Sequence, residues 1–399
     1  MYTFDVTNYA TRFAGKSSAI KRPREITYFS YDENHELKHD ESSLRYYYTP
    51  ESNADLNHGY NMFVKHDDSV DEHLDSLLDA LVELEKKEGR CSTDGVHFVT
   101  WRGMMTKIMT VPYMEDGGQC KKLLRQIDSL KEVVAHASYR YIEENNLYKQ
   151  STRGFQDEKG ARMSFWGYKF ETLSTLSRPW GDATREEIEG RTNEIVSNKA
   201  QYCSIVQTGF GDSGLLIGGE VDAIWDCRPM NPSNPINYVE LKTSRIVSTT
   251  NQQINFEKKL QRFWAQSFLL GVPKIIIGFR DDHGILKNVE IKETQGIPVE
   301  IRKAHVAQGL GPPPWNGNVA INFTTAFLEW LRGVLVNKEG LWRIRYQQRG
   351  DRIEVFQVQE SGYAGVLTDR FLAWRSELRE RLRTAPSAEA DSETGEASM

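Results

Sequence analysis

Leu74, Leu77, Leu78, Leu81 and Leu84 recur at steps of three and four, which predicts an amphipathic helix with its leucine stripe turned to a core. Ser69 with Glu72 has the spacing of a capping box at its start, and Gly89 marks its end. Upstream, EITYFSYD and SLRYYYTP are short runs rich in Tyr and Phe, and they predict strands. GVHFVTWRGMMTKIMTV predicts strands interrupted at Arg102-Gly103. KKLLRQIDSLKEVVAHASYRYIEENN and REEIEGRTNEIVSN predict helices.

The central block is the most ordered part of the pattern. CSIVQTGFGDSGLLIGGEVDAIWD and NYVELKTS are strand-like and are separated by the turn-rich CRPMNPSNPI, so they predict a hairpin. NQQINFEKKLQRFWAQSFLL follows, with Phe256, Leu260, Phe263, Trp264 and Phe268 on one helical stripe, and KIIIGFRD predicts a further strand. Hairpin, crossover helix and strand together imply an α/β (α+β) fold of mixed central β-sheets flanked by helices. LWRIRYQQRGDRIEVFQVQE predicts another hairpin turning at Gly350-Asp351, and TDRFLAWRSELRERLR a helix capped by Thr368. The expected organisation is one large domain over residues 1–383, its catalytic core at about 160–285, and a disordered acidic tail over 384–399.

Composition narrows the function classes. The 399 residues carry a net charge of −6, which argues against a broad basic surface gripping long nucleic acid, while leaving room for a local basic cleft. No apolar run reaches membrane-spanning length and the first residues lack the order of a secretory signal, so a soluble intracellular protein is expected. Cys91, Cys120, Cys203 and Cys227 have no paired spacing, which predicts reduced core thiols. The nine histidines are scattered along the chain, so any metal is expected to be held by oxygen.

Within the apolar strands, Glu220 and Asp222 stand two apart, as do Glu240 and Lys242. A strand turns alternate side chains to one face, so each pair projects together while Val239 and Leu241 serve the other side. By chance alone roughly eight acid-x-acid pairs are expected in a chain this acidic. The placement inside strands is therefore the informative part. One reading is a half-exposed sheet with charges paired across the ladder. The other is a Mg²⁺ or Mn²⁺ site, since buried carboxylates repel and protonate unless a cation sits among them.

Five strings in this order, WRGMMTK, GYKFE, EVD, ELK and WAQSFL, resemble the DXO/Rai family of decapping exoribonucleases, which have a PD-(D/E)XK nuclease-like core. The resemblance implies that Glu171, Glu220, Asp222 and Glu240 bind a pair of Mg²⁺ or Mn²⁺ ions directly or through water, joined by the carbonyl of Leu241. It implies that Lys242 faces the scissile phosphate, that Gln266 places the nucleophilic water and that Arg102 contacts substrate phosphate. Lys258, Lys259 and Arg262 are further candidates for phosphate contacts, or else a solvated face.

The implied activity is hydrolysis at RNA 5′ ends that are triphosphorylated, NAD-capped or capped with unmethylated guanosine, with 5′→3′ exoribonuclease activity in some members. A nuclear location is the expectation. The alternatives are a partner that stabilises a nuclear XRN-type 5′→3′ exoribonuclease, and a DNA-directed nuclease on the same scaffold.

Overall fold

The computed structural model describes residues 1–67, 69–114, 129–136, 139–144, 157–231, 234–346, 350–358 and 365–384. Two sheets organise the described residues. The first, of ten strands, runs in the order β1 (Tyr2–Asp5), β16 (Arg352–Gln357), β15 (Gly340–Tyr346), β6 (Ser129–His136), β7 (Tyr139–Glu144), β5 (Phe98–Trp101), β10 (Ser213–Glu220), β9 (Gln201–Phe210), β2 (Ile20–Tyr31) and β3 (Leu37–Lys38). The second, of six, runs β14 (Leu286–Glu293), β13 (Lys274–Arg280), β12 (Tyr238–Arg245), β11 (Ala223–Ile224), β4 (Tyr46–Tyr47) and β8 (Thr175–Leu176). Both mix parallel and antiparallel pairs: β10 runs parallel to β5 and antiparallel to β9, and β12 runs parallel to β13 and antiparallel to β11.

Strand alternation sets the layers. In β9 and β10, Cys203, Ile205 and Leu216 face one core with the Asp75–Glu88 and Asp369–Thr384 helices. Tyr202, Val206, Leu215 and Ile217 face a second core, filled by the helices Arg102–Thr110, Thr250–Leu270 and Gly317–Val334. From the far side, Ile275, Ile277 and Phe279 of β13 join that same central core. Ile276, Val239 and Leu241 turn outward instead, onto Phe165 and Phe170 of the Glu158–Leu173 helix. Helices therefore lie between the sheets and on the outer face of each. Glu240 and Lys242 stand on the opposite face of β12 from Val239 and Leu241, as their spacing requires.

Several expectations need correction. The leucine helix begins at Asp75, its N-cap Leu74 offers no side-chain bond, and Glu72 turns to His35 Nε2 at 2.8 Å instead of capping. Gly89 does end it, with φ of 67°. Beyond Trp101 the chain forms the helix Arg102–Thr110 rather than a second strand, because Met104, Met105, Ile108 and Met109 fall on one buried helical face.

The expected helix at 121–146 is, where described, the hairpin of β6 and β7. It is enclosed by β15 on one side and β5 on the other, and sheet pairing overrides the local leucine pattern. REEIEGRTNEIVSN is helical only over Arg185–Gly190, with a 3₁₀ turn at Arg191–Asn193. EVD and ELK do not share one hairpin: Glu220 ends β10 in the ten-stranded sheet, and only Ala223–Ile224 pairs with β12. Cys203 is buried, Cys91 half-buried and Cys227 exposed, all as free thiols, and Cys120 lies outside the described residues. Thr368 Oγ1 accepts from the Phe371 amide as expected. Thr384 closes that helix, so the predicted tail lies outside the described residues from 385 onward. No helix among the described residues is long and apolar enough to cross a membrane.

Candidate active site

The site forms where the chain passes from one sheet to the other. Gly218 and Gly219 precede Glu220, and a Cβ on Gly219 would stand 2.9 Å from both Arg102 Cβ and Leu270 Cδ1. Glycine is needed there because a side chain would displace the Arg102 helix from the end of β10. After Glu220 the backbone is held by Val221 N donating to Tyr202 O at 2.9 Å and by Ile224 N donating to Arg45 O at 2.9 Å. These bonds fix Asp222 at the junction.

Asp222 Oδ2 accepts the Leu241 amide at 2.6 Å and lies 3.5 Å from Lys242 Nζ. β11 stops opposite Tyr238 and Val239, so among the described residues β12 has no strand neighbour on that side at Leu241. A strand residue projects its N–H and C=O to the same side, so the Leu241 carbonyl leaves β12 toward Asp222 as well. Lys242 Nζ is 2.7 Å from Glu240 Oε1, and Arg102 donates to Glu240 Oε2 at 2.8 Å. Glu240 is fully buried, with the Lys242 ammonium against Oε1 and the Arg102 guanidinium against Oε2.

Electrostatics follow from this crowding. Burial pushes the Glu171 carboxyl well above its ordinary range, and the Asp222 charge adds to the effect. Burial, then Asp222, raises Glu220 to about 7. Its side chain opens onto the cavity, and water reaching it softens that displacement without reversing it. Asp222 is raised by burial and then by Glu240, against the pull of Lys242. Glu240 behaves oppositely. Burial favours its neutral form, but the Arg102 and Lys242 cations outweigh it and hold the carboxylate ionised. Burial opposes the charge on Lys242, yet Asp222, Glu240 and Glu171 overcome it and keep the ammonium protonated. Four carboxylates against two cations leave a formal −2 when all are ionised.

Glu171, Glu220 and Asp222 line one cavity of about 160 Å³, with Arg45, Tyr168, Glu194 and Tyr202 among its other walls. Glu240, Leu241, Lys242 and Arg102 reach this group through the contacts of Asp222 and Glu240. Arg102 is nearly buried against Glu240. Gln266 is half-buried on the Thr250–Leu270 helix of the central layer. Lys259 of the same helix donates to Thr243 O at 2.8 Å, next to Lys242 in β12. The carboxylate group is looser than a closed ligand cage: among the described residues, the one trio of His, Cys, Asp or Glu with ligand atoms all within 4.8 Å is elsewhere, at His35, His66 and Glu72. Of the cavity walls that sequence reasoning missed, Tyr168 had a signal, since it lies three residues before Glu171 on one helix face. Arg45 and Tyr202 had none, because sheet pairing alone brings them here.

Comparison with known proteins matches residues 21–372 to the family described as RAI1 like PD-(D/E)XK nuclease. The decapping nuclease RAI1 of Neurospora crassa is 47% identical over 390 residues, which span 96% of this chain and 90% of that protein. Candida albicans Rai1, solved in complex with pU5 and Mn²⁺, superposes with a TM-score of 0.82 at 30% identity, covering 94% of this chain and 99% of that one. Scheffersomyces stipitis Rai1, solved with (3′-NADP)⁺ and calcium, gives 0.78 at 29% identity, covering 94% and 100%.

Proposed function

This chain belongs to the family of RAI1-like PD-(D/E)XK nucleases, and from that premise we propose that it hydrolyses phosphate linkages at RNA 5′ ends with the help of Mg²⁺ or Mn²⁺. The observation that carries the reading is the convergence of Glu171, Glu220 and Asp222 on one cavity, next to a buried Glu240 that Arg102 and Lys242 hold ionised.

Glu171, Glu220, Asp222, Glu240 and the Leu241 carbonyl would hold the ions, an all-oxygen set of the kind hard divalent cations take. When bound, such ions acidify water and offset charge on the reacting phosphate. The chain's own residues supply the rest. Lys242, held charged by three carboxylates, offers a fixed cation to the scissile phosphate. Arg102 keeps Glu240 ionised, and the Leu241 amide orients Asp222. Gln266 places the attacking water.

The preferred ends in this proposal are triphosphates, NAD caps and unmethylated guanosine caps. The pU5 bound by the Candida protein supports an RNA 5′ end as the substrate, and the (3′-NADP)⁺ bound by the Scheffersomyces protein supports the NAD cap among them. The test is release of label from 5′-labelled RNAs of these three kinds with Mn²⁺ or Mg²⁺. Glu220→Ala with Asp222→Ala is expected to lower the rate by more than about 100-fold, beyond what disturbing an outer-shell partner alone does. Cleavage untouched by EDTA, or full rate in that double variant, would overturn the proposal. We also propose that any association with an XRN-type 5′→3′ exoribonuclease uses a surface away from the carboxylates. Co-purification should then survive the same double change.

A further inference from the structure

We propose that His35, His66 and Glu72 form a binding site for a first-row transition ion of the Zn²⁺ class, separate from the carboxylate cluster and bracing the wall of its cavity. His35 Nε2 and His66 Nε2 both approach Glu72 Oε1, at 2.8 and 3.4 Å. In a tetrahedral site with metal–ligand bonds near 2.0–2.1 Å, neighbouring ligand atoms stand about 3.3 Å apart. The Glu72 edges of such a tetrahedron are thus already within about 0.5 Å of their required length. The imidazole rings, with centroids 3.8 Å apart, would have to separate for both Nε2 atoms to reach one ion.

The site is built rather than incidental. His35 Nδ1 lies 2.8 Å from the Lys199 carbonyl, which can only accept, so Nδ1 carries the hydrogen. That contact is the usual outer-shell partner of a metal-bound imidazole, and it leaves Nε2 as the coordinating atom. A lone pair on Nε2 facing a carboxylate oxygen at 2.8 Å is repulsive until a cation or an extra proton lies between them.

The His35 backbone is fixed as well, at φ of 66° in a turn closed by its amide on Asp32 O, and the Tyr31 ring stacks on the imidazole at 4.0 Å. The amide of His66 donates to Asn198 Oδ1 at 2.7 Å. Both histidines are therefore referenced to the segment 196–199. Side-chain exposure rises from 10% at His35 through 21% at His66 to 42% at Glu72, so the group is open to solvent on the Glu72 side, where a water would complete the coordination.

Two imidazoles and one carboxylate favour Zn²⁺ over Mg²⁺ or Mn²⁺, which take mostly oxygen. The consequence is mechanical: Ser197, Ala200, Gln201 and Tyr202, on and just beyond the anchoring segment, line the cavity that holds Glu171, Glu220 and Asp222. An ion here would fix that wall without touching substrate.

The test uses the full untagged chain and Co²⁺ as the probe. Stoichiometric Co²⁺ is expected to give the strong visible absorption of a tetrahedral ion at one per chain, and Zn²⁺ is expected to displace it. Glu72→Gln, which alters only an exposed carboxylate, and His66→Ala should each weaken cobalt binding at least about ten-fold, since they remove a ligand and not merely its outer-shell support. Glu220→Ala with Asp222→Ala should leave the spectrum intact, which separates this site from the catalytic carboxylates. No tetrahedral spectrum, or one unchanged in both Glu72→Gln and His66→Ala, would overturn the proposal and leave the trio as histidines sharing a proton with Glu72.

Discussion

Replacing Arg102 with Met keeps the packing volume near β10 while removing the guanidinium from Glu240 Oε2. The pair stands at 2.8 Å with Glu240 fully buried and Arg102 12% exposed, and removing one partner of such a pair costs about 3–5 kcal/mol. Lys242 remains 2.7 Å from the other oxygen, which reduces the expected cost to about 2–3 kcal/mol. For a chain of this length that is a fall in Tm of about 3 °C. Glu240→Gln and the double variant complete a cycle. A paired contact should make the double change cheaper than the sum of the singles by about 1–3 kcal/mol.

The same change acts on the chemistry. Without Arg102 the burial that favours neutral Glu240 is opposed by Lys242 alone, so the carboxyl rises and the pH dependence of the rate on 5′-triphosphate RNA should move to higher pH than in wild type. Circular dichroism melts and a pH series of label release give both readings. Coupling below about 0.5 kcal/mol, or an unchanged Tm with a raised KM, would refute this account. The second outcome would make Arg102 the contact to substrate phosphate that the sequence suggested.

Three further outcomes follow from the packing. Glu85 is fully buried and accepts from Trp374 Nε1 at 2.9 Å, Arg375 at 2.6 Å and the Ser92 hydroxyl at 2.7 Å, tying the last helix to the leucine helix. Glu85→Ala should cost about 3–5 kcal/mol, and a melt lowered by less than 1 °C would contradict it. His73 is raised to about 9 by its hydrogen bond to buried Glu143, against burial of the ring. Because the folded value exceeds the unfolded value near 6.5, this stabilisation is complete below about pH 6.5 and is lost as pH rises through 9. Melts of His73→Gln should be flatter than wild type across that window, and parallel curves would remove the pair as the cause. Gly219→Ala should cost about 1–3 kcal/mol by pressing on Arg102 and Leu270, and should slow the reaction; a neutral melt with full rate would show that the close approach relaxes freely.

Side-chain alternation and helical spacing are local properties, and they were enough to place Glu220, Glu240 and Lys242 in strands, Gln266 on a helix and Val239 and Leu241 on the opposite face of β12 from Glu240 and Lys242, whereas Asp222 stands just beyond the end of β10. The order of five short strings then identified the family. Local pattern could not say that EVD spans the passage between two sheets, because a strand's partners lie outside its own residues. The same limit hid the β6–β7 hairpin, whose strands are secured by β15 and β5. Nor could it bring His35 beside His66, which scattered spacing had argued against as a metal pair: the contact exists because both are anchored to residues 198 and 199, far along the chain. Backbone periodicity acts within one element and is written in the sequence, whereas the meeting of carboxylates, cations and imidazoles depends on how sheets and loops close in space.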